Sequence, residues 1–139
     1  MLQRDVDFSR IQAVSGAAAQ HSIILLTSEF TSSIDSARLD AKKPLSEQFD
    51  SDKILARPYA TNWQDSTTGT QCREMEEDVH AALGQQGDSA AMTMAKITGS
   101  SAHERFSGPQ AKKVFQKEHS TWEKTAHISL LSSFLTTML

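Results

Sequence analysis

The chain has 139 residues, of which 38% are hydrophobic and 22% charged, with a formal charge of -3. That is the size of one ordinary domain, with enough apolar material to bury a core and too little net charge for a disordered polymer. The slight acidic excess argues against a general nucleic-acid binder, and the single cysteine excludes a disulfide scaffold.

From Phe8 to Leu39, apolar residues recur at Phe8, Ile11, Ala18, Ile23, Leu26, Phe30, Ile34 and Ala37, mostly three, four or seven apart. This spacing predicts a long helix, capped by Asp5 or Asp7 and weakened near Gly16. The β-branched run Ser22-Ile23-Ile24 also tolerates a strand. Ala41-Lys42-Lys43-Pro44 closes the segment. Leu45 and Phe49 mark a short helix ended by Pro58. Pro58 to Thr70 then reads as an irregular loop, in which Tyr59 and Trp63 are expected to pin the chain to the core.

A second helix is expected from Thr70 to Leu83, with Thr68 and Gln71 at capping-box spacing and Cys72, Met75, Val79, Ala82 and Leu83 as its apolar stripe. Acids at Glu74, Glu76, Glu77 and Asp78 suit its N-terminal half. After Gly84 and Gly87, Asp88 is expected to cap a short helix over Ser89–Thr98 that stops at Gly99. Ser107-Gly-Pro-Gln110 has a capping Ser, a first-turn Pro and a Gln three residues on. The period through Phe115, Trp122, Ala126, Leu130, Phe134 and Met138 predicts one helix running nearly to the C-terminus.

The expected architecture is therefore mainly α: a single helical domain over residues 1–139, a small bundle. Its long N- and C-terminal helices pack antiparallel, with shorter helices and a loop between.

No Gly-rich phosphate loop, nucleophile elbow, paired-cysteine spacing or calcium loop is present, so the reading leans away from an enzyme. His119, Glu123 and His127 are spaced four and four. On one helix they would share a side, and imidazole and carboxylate suit zinc or iron. Glu76 and His80 repeat the spacing, so a metal-binding protein or acid–base enzyme built on this cluster is the alternative function. His21 is expected at the core edge, His103 in a turn, Cys72 as a semi-buried helix residue, and Lys112, Lys113, Lys117 and Lys124 as a solvated face. No cofactor is expected.

The leading expectation is a non-catalytic helical interaction or assembly module. In it Trp122, Leu130, Leu131, Phe134 and Leu135 of the C-terminal helix bury against a protein partner or a second copy, with nucleic acid and membrane not expected as partners. The N-terminus has acids where a signal peptide needs a basic start and an apolar run. The location expected is cytoplasmic, or exported without a cleavable signal peptide.

Overall fold

A computed structural model describes residues 7–35, 39–40 and 42–138. Asp5, Ala37, Ala41 and Leu139 therefore lie outside the described residues. At the start, the Asp7 carboxylate accepts the Ser9 amide at 3.1 Å and caps a 3-10 turn, Phe8–Arg10.

The expected long N-terminal helix is corrected. Extended chain follows the turn, then strand β1 (Ile23–Leu26) and a short helix α1 (Glu29–Ser33). The residues Ile-Ile-Leu-Leu are buried at every position. Such a strand is apolar on both faces, so its sequence carries no alternation to distinguish it from a helix. On one face Ile24 and Leu26 pack with Phe30 and Ile54. On the other, Ile23 and Leu25 pack with Val114.

Two more short helices follow, α2 (Leu45–Gln48) and α3 (Ser51–Ile54), the latter capped by Asp50 through the Asp52 amide at 3.2 Å. The chain then runs along one edge of β1. Thr27 N donates to Ile54 O, Ala56 N to Leu25 O and Thr61 N to Ile23 O, at 2.9–3.0 Å.

Helix α4 (Gly69–Leu83) and helix α5 (Ala90–Thr98) lie close to the expected ranges and pack on each other. Their caps differ from expectation. Thr68 makes no cap bond and instead donates its hydroxyl to the Glu104 carbonyl, while the Gln71 amide reaches Gln116 at 2.7 Å. Ser89 rather than Asp88 caps α5, accepting the Met92 amide, and Asp88 pairs with Lys96 at 2.7 Å. Gly99, at φ 91°, adopts the left-handed conformation that ends α5.

The expected C-terminal helix is corrected too. It is four elements: α6 (Ser107–Lys117), α7 (His119–Lys124), strand β2 (His127–Leu130) and α8 (Leu131–Met138). At the break, Glu118 leaves helical geometry, with φ -124°. Its carboxylate turns to Arg57, with Nη1 at 2.9 and 3.2 Å from the two oxygens, and Arg57 is only 8% exposed. Beyond α7 the Ala126 amide donates to Leu26 O at 2.8 Å, and β2 pairs antiparallel with β1 from Ile23↔Leu130 to Leu26↔His127. Tertiary pairing outweighs the helical period in this stretch. Among the described residues the chain thus has two short strands and helices of 4 to 15 residues, with no antiparallel pair of long terminal helices. None of these helices is long and apolar enough to cross a membrane.

α8 covers one face of β1 through Leu131, Phe134 and Met138, and the Phe134 ring lies 5.6 Å from that of Phe30. A Cβ at Gly16 would run into the end of the Leu135 side chain, so the N-terminal segment passes close to α8 there.

Candidate functional site

Where the extended N-terminal chain enters β1, three sequence-distant segments enclose an open cleft of about 360 Å³. Ala19, Gln20 and His21 come from the chain before β1, Trp63 from the loop after α3, and Arg105 and Phe106 from the turn before α6.

His21 has φ 62° and is the single positive-φ non-glycine among the described residues. The left-handed region costs an L residue on the order of 1 kcal/mol, and such strain persists where the surroundings over-determine it. The surroundings are visible. The Phe106 ring lies 4.8 Å from the His21 ring, and the Ser107 hydroxyl donates to the His21 carbonyl at 3.2 Å. Phe106 is itself held by a tight turn, in which its amide donates to His103 O at 2.9 Å and the two rings lie 5.5 Å apart. Thr68 and Gln110 both donate to the Glu104 carbonyl, anchoring that turn to α4 and α6.

The Trp63 loop is fixed on its other side. The Asp65 carboxylate accepts the Thr67 hydroxyl at 2.6 Å, the Thr67 amide at 2.8 Å and the Lys113 ammonium at 2.9 Å. The Thr67 hydroxyl and Lys113 outweigh the opposing effect of burial and hold the Asp65 carboxyl down at about 2. Trp63 remains 48% exposed and Tyr59 is exposed with Arg57 over its ring at 4.8 Å. The expectation that these aromatics pin the loop is corrected: Thr61, Asp65, Thr67 and Thr68 pin it, which leaves Trp63 free to wall the cleft.

Chemically the cleft offers an aromatic face, the Gln20 amide, the His21 imidazole and the Arg105 guanidinium. These are donors and acceptors suited to a neutral or anionic polar molecule. Arg105 is exposed and lines the cleft, and among the described residues it forms no ion pair.

The residues singled out from sequence lie elsewhere. His119 opens α7, Glu123 is exposed near its end, and His127 belongs to β2, where its ring meets the Thr31 hydroxyl at 3.3 Å. The three do not share a helix face because the helix stops at Lys124. Glu76 accepts the Ala102 amide and His80 meets the Thr93 hydroxyl at 2.7 Å, so both serve packing between elements. No group of three or more His, Cys, Asp or Glu side chains able to hold a metal forms among the described residues. Burial pushes the Cys72 thiol up, away from the reactive thiolate. Lys112 pairs with Glu74 and Asp78, and Lys113 with Asp65, so half the lysine cluster is neutralised locally.

Of the expected partner-binding residues, Trp122 packs against the Ile23–Leu25–Val114 cluster and edge-on to Phe115 at 5.3 Å. Leu131 and Phe134 pack on the opposite face of β1, and Leu135 approaches Gly16. Leu130 is the exposed one, on β2. Sequence reasoning passed over Gln20, Arg105 and Phe106 and took His21 for a core-edge residue. The available signal was a Gln-His pair directly before a four-residue apolar run, the position at which a strand delivers its first polar residues to a rim.

A concave site lined by an aromatic wall and by amide, imidazole and guanidinium groups has the make-up of a small-molecule pocket. Comparison with known proteins finds similarity to part of a set of longer curated proteins. The chain is 38% identical over 138 residues to a xylulose kinase of Schizosaccharomyces pombe. It is 38% identical over 131 residues to a xylulose kinase of Saccharomyces cerevisiae, and 36% identical over 133 residues to xylulose kinase 2 of Arabidopsis thaliana. These matches cover 99%, 94% and 96% of the chain. The chain spans only 20–22% of the length of these curated relatives. No protein-family model matches it. The similarity overturns the expectation of a non-catalytic interaction, assembly or oligomerisation module: relatives along nearly the whole chain bear the name of an enzyme.

Proposed function

We propose that this chain is the sugar-holding portion of a kinase of the xylulose kinase type, and that the His21–Trp63–Arg105 cleft receives the open-chain ketose. The observation that carries the reading is His21, held in a strained backbone conformation at the cleft beside Gln20, Trp63 and Arg105. It is supported by the 36–38% identity to xylulose kinases along nearly the whole chain. Strain fixed by neighbouring side chains is a mark of pre-organisation for binding.

A pentulose carries hydroxyls on successive carbons and a carbonyl. Gln20 can donate to one hydroxyl and accept from the next, the imidazole does the same, and the guanidinium donates to two oxygens at once. Trp63 covers the C–H edge of the sugar and excludes water from one side. In a phosphoryl transfer most of the rate comes from positioning and from charge stabilisation, so holding the accepting hydroxyl in one place is the contribution of these residues. Kinase chemistry also needs a divalent cation on the donor's phosphates. Among the described residues no group of three or more His, Cys, Asp or Glu side chains gathers to hold one. A cytoplasmic location accords with a sugar-phosphorylating role.

Titration of the 139-residue chain with D-xylulose, followed by calorimetry or by the His21 imidazole resonances, tests the proposal. Saturable binding that weakens at least about tenfold in Arg105→Ala and His21→Ala is expected, the worth of one charge-assisted or well-placed hydrogen bond. Equal binding by the wild-type chain and both variants would overturn it.

A further inference from the structure

Ser107 carries the sequence signature of a helix cap, yet the cap position of α6 is Phe106 and makes no side-chain cap bond. The Ser107 hydroxyl is spent differently, on the carbonyl of His21, 86 residues earlier. That carbonyl lies just before β1, whereas the next one, Ser22 O, is already taken by the Leu131 amide at 2.9 Å. Three consecutive residues thus act on the same spot: Arg105 lines the cleft, Phe106 lies against the His21 ring, and Ser107 holds the His21 backbone.

We infer that Ser107 is a positioning residue for sugar binding, acting through His21: its hydroxyl holds the His21 carbonyl so that the backbone stays left-handed and the imidazole stays against Phe106 and at the cleft. The inference rests on the reading of the cleft as the sugar site. A left-handed histidine lies uphill of its extended alternatives, so a single hydrogen bond to its carbonyl is of the right size to decide which conformation fills. The Phe106 ring fixes the imidazole plane, and the hydroxyl fixes the peptide plane on the far side of the Cα. Neither contact alone determines both.

Nuclear magnetic resonance of the full 139-residue chain supplies two independent readouts. One is the strong intraresidue amide–Hα Overhauser effect of His21 that a positive φ produces. The other is the dissociation constant for D-xylulose. Ser107→Ala should weaken that Overhauser effect and raise the dissociation constant about tenfold, and Ser107→Thr, which keeps the hydroxyl, should restore both. Phe106→Leu, which retains Ser107, should move the His21 ring resonances and weaken binding while leaving the Overhauser effect strong. That variant keeps the inference testable should Ser107→Ala unfold. A Ser107→Ala chain with an unchanged Overhauser effect and unchanged affinity would overturn the positioning role and leave the sugar reading standing. A wild-type chain that does not bind D-xylulose would sink the sugar reading and with it the role in sugar binding, while the Overhauser comparison would still show whether Ser107 governs the His21 backbone.

Discussion

Ile23 and Thr61 hydrogen-bond each other twice: the Ile23 amide donates to Thr61 Oγ1 at 2.8 Å, and the Thr61 amide donates to the Ile23 carbonyl at 3.0 Å. Both residues are buried, and 38 positions separate them. The pair welds the first residue of β1 to the loop that carries Trp63, so two walls of the cleft share one anchor.

Removing the hydroxyl leaves the buried Ile23 amide without its acceptor. Thr61→Ala should cost about 1–3 kcal/mol, read as a lowered urea midpoint at unchanged slope. Thr61→Ser should retain most of that stability. The same Thr61→Ala chain should bind D-xylulose more weakly, because Trp63 loses its registration against His21.

Asp65 links stability to acidity. Its folded value of about 2 lies below the ordinary 3.8, so folding favours the ionised form. Its contribution is complete above about pH 5 and is lost as the pH falls through 4 towards 2, amounting to about 2 kcal/mol. Urea unfolding across that window should show the loss. Asp65→Asn should flatten this part of the profile while lowering stability at neutral pH.

Leu25 and Ile128 are register partners across the two strands, yet Leu25 is 1% exposed and Ile128 45%. Leu25→Ala should cost about 2–5 kcal/mol through lost burial and a cavity against Val114. Ile128→Ala should cost well under about 1 kcal/mol. Comparable losses at the two positions would mean that β2 is covered rather than open.

Glu118 is the carboxylate that meets buried Arg57. Glu118→Ala strands a buried cation, at about 2–3 kcal/mol given that Glu118 is partly exposed. Thermal melting would reveal it. A variant as stable as wild type would show that water replaces the carboxylate.

α4, α5 and the start of α6 were legible in the amino-acid order, because each has an apolar stripe at helical spacing and a Gly, Ser or Pro at an end. The strands were not. Ile23–Leu26 is buried on both faces and so has no alternation, and Leu130 sits at helical spacing from Trp122 and Phe134 without being helical with them. The supposed caps misled for a related reason. Thr68, Gln71, Ser107 and Gln110 have the right types at the right intervals, but their side chains found distant partners instead.

The sequence by itself determined the local helices, a core-forming composition and the lack of a phosphate-cradling loop, since those depend on neighbours within a few residues. The cleft was decided only in three dimensions. Gln20 and His21, Trp63, and Arg105 and Phe106 lie more than forty positions apart along the chain, and nothing in any one segment requires the others. What brings them together is β1, whose two edges and two apolar faces must all be covered, and the segments that cover them carry the cleft residues into place.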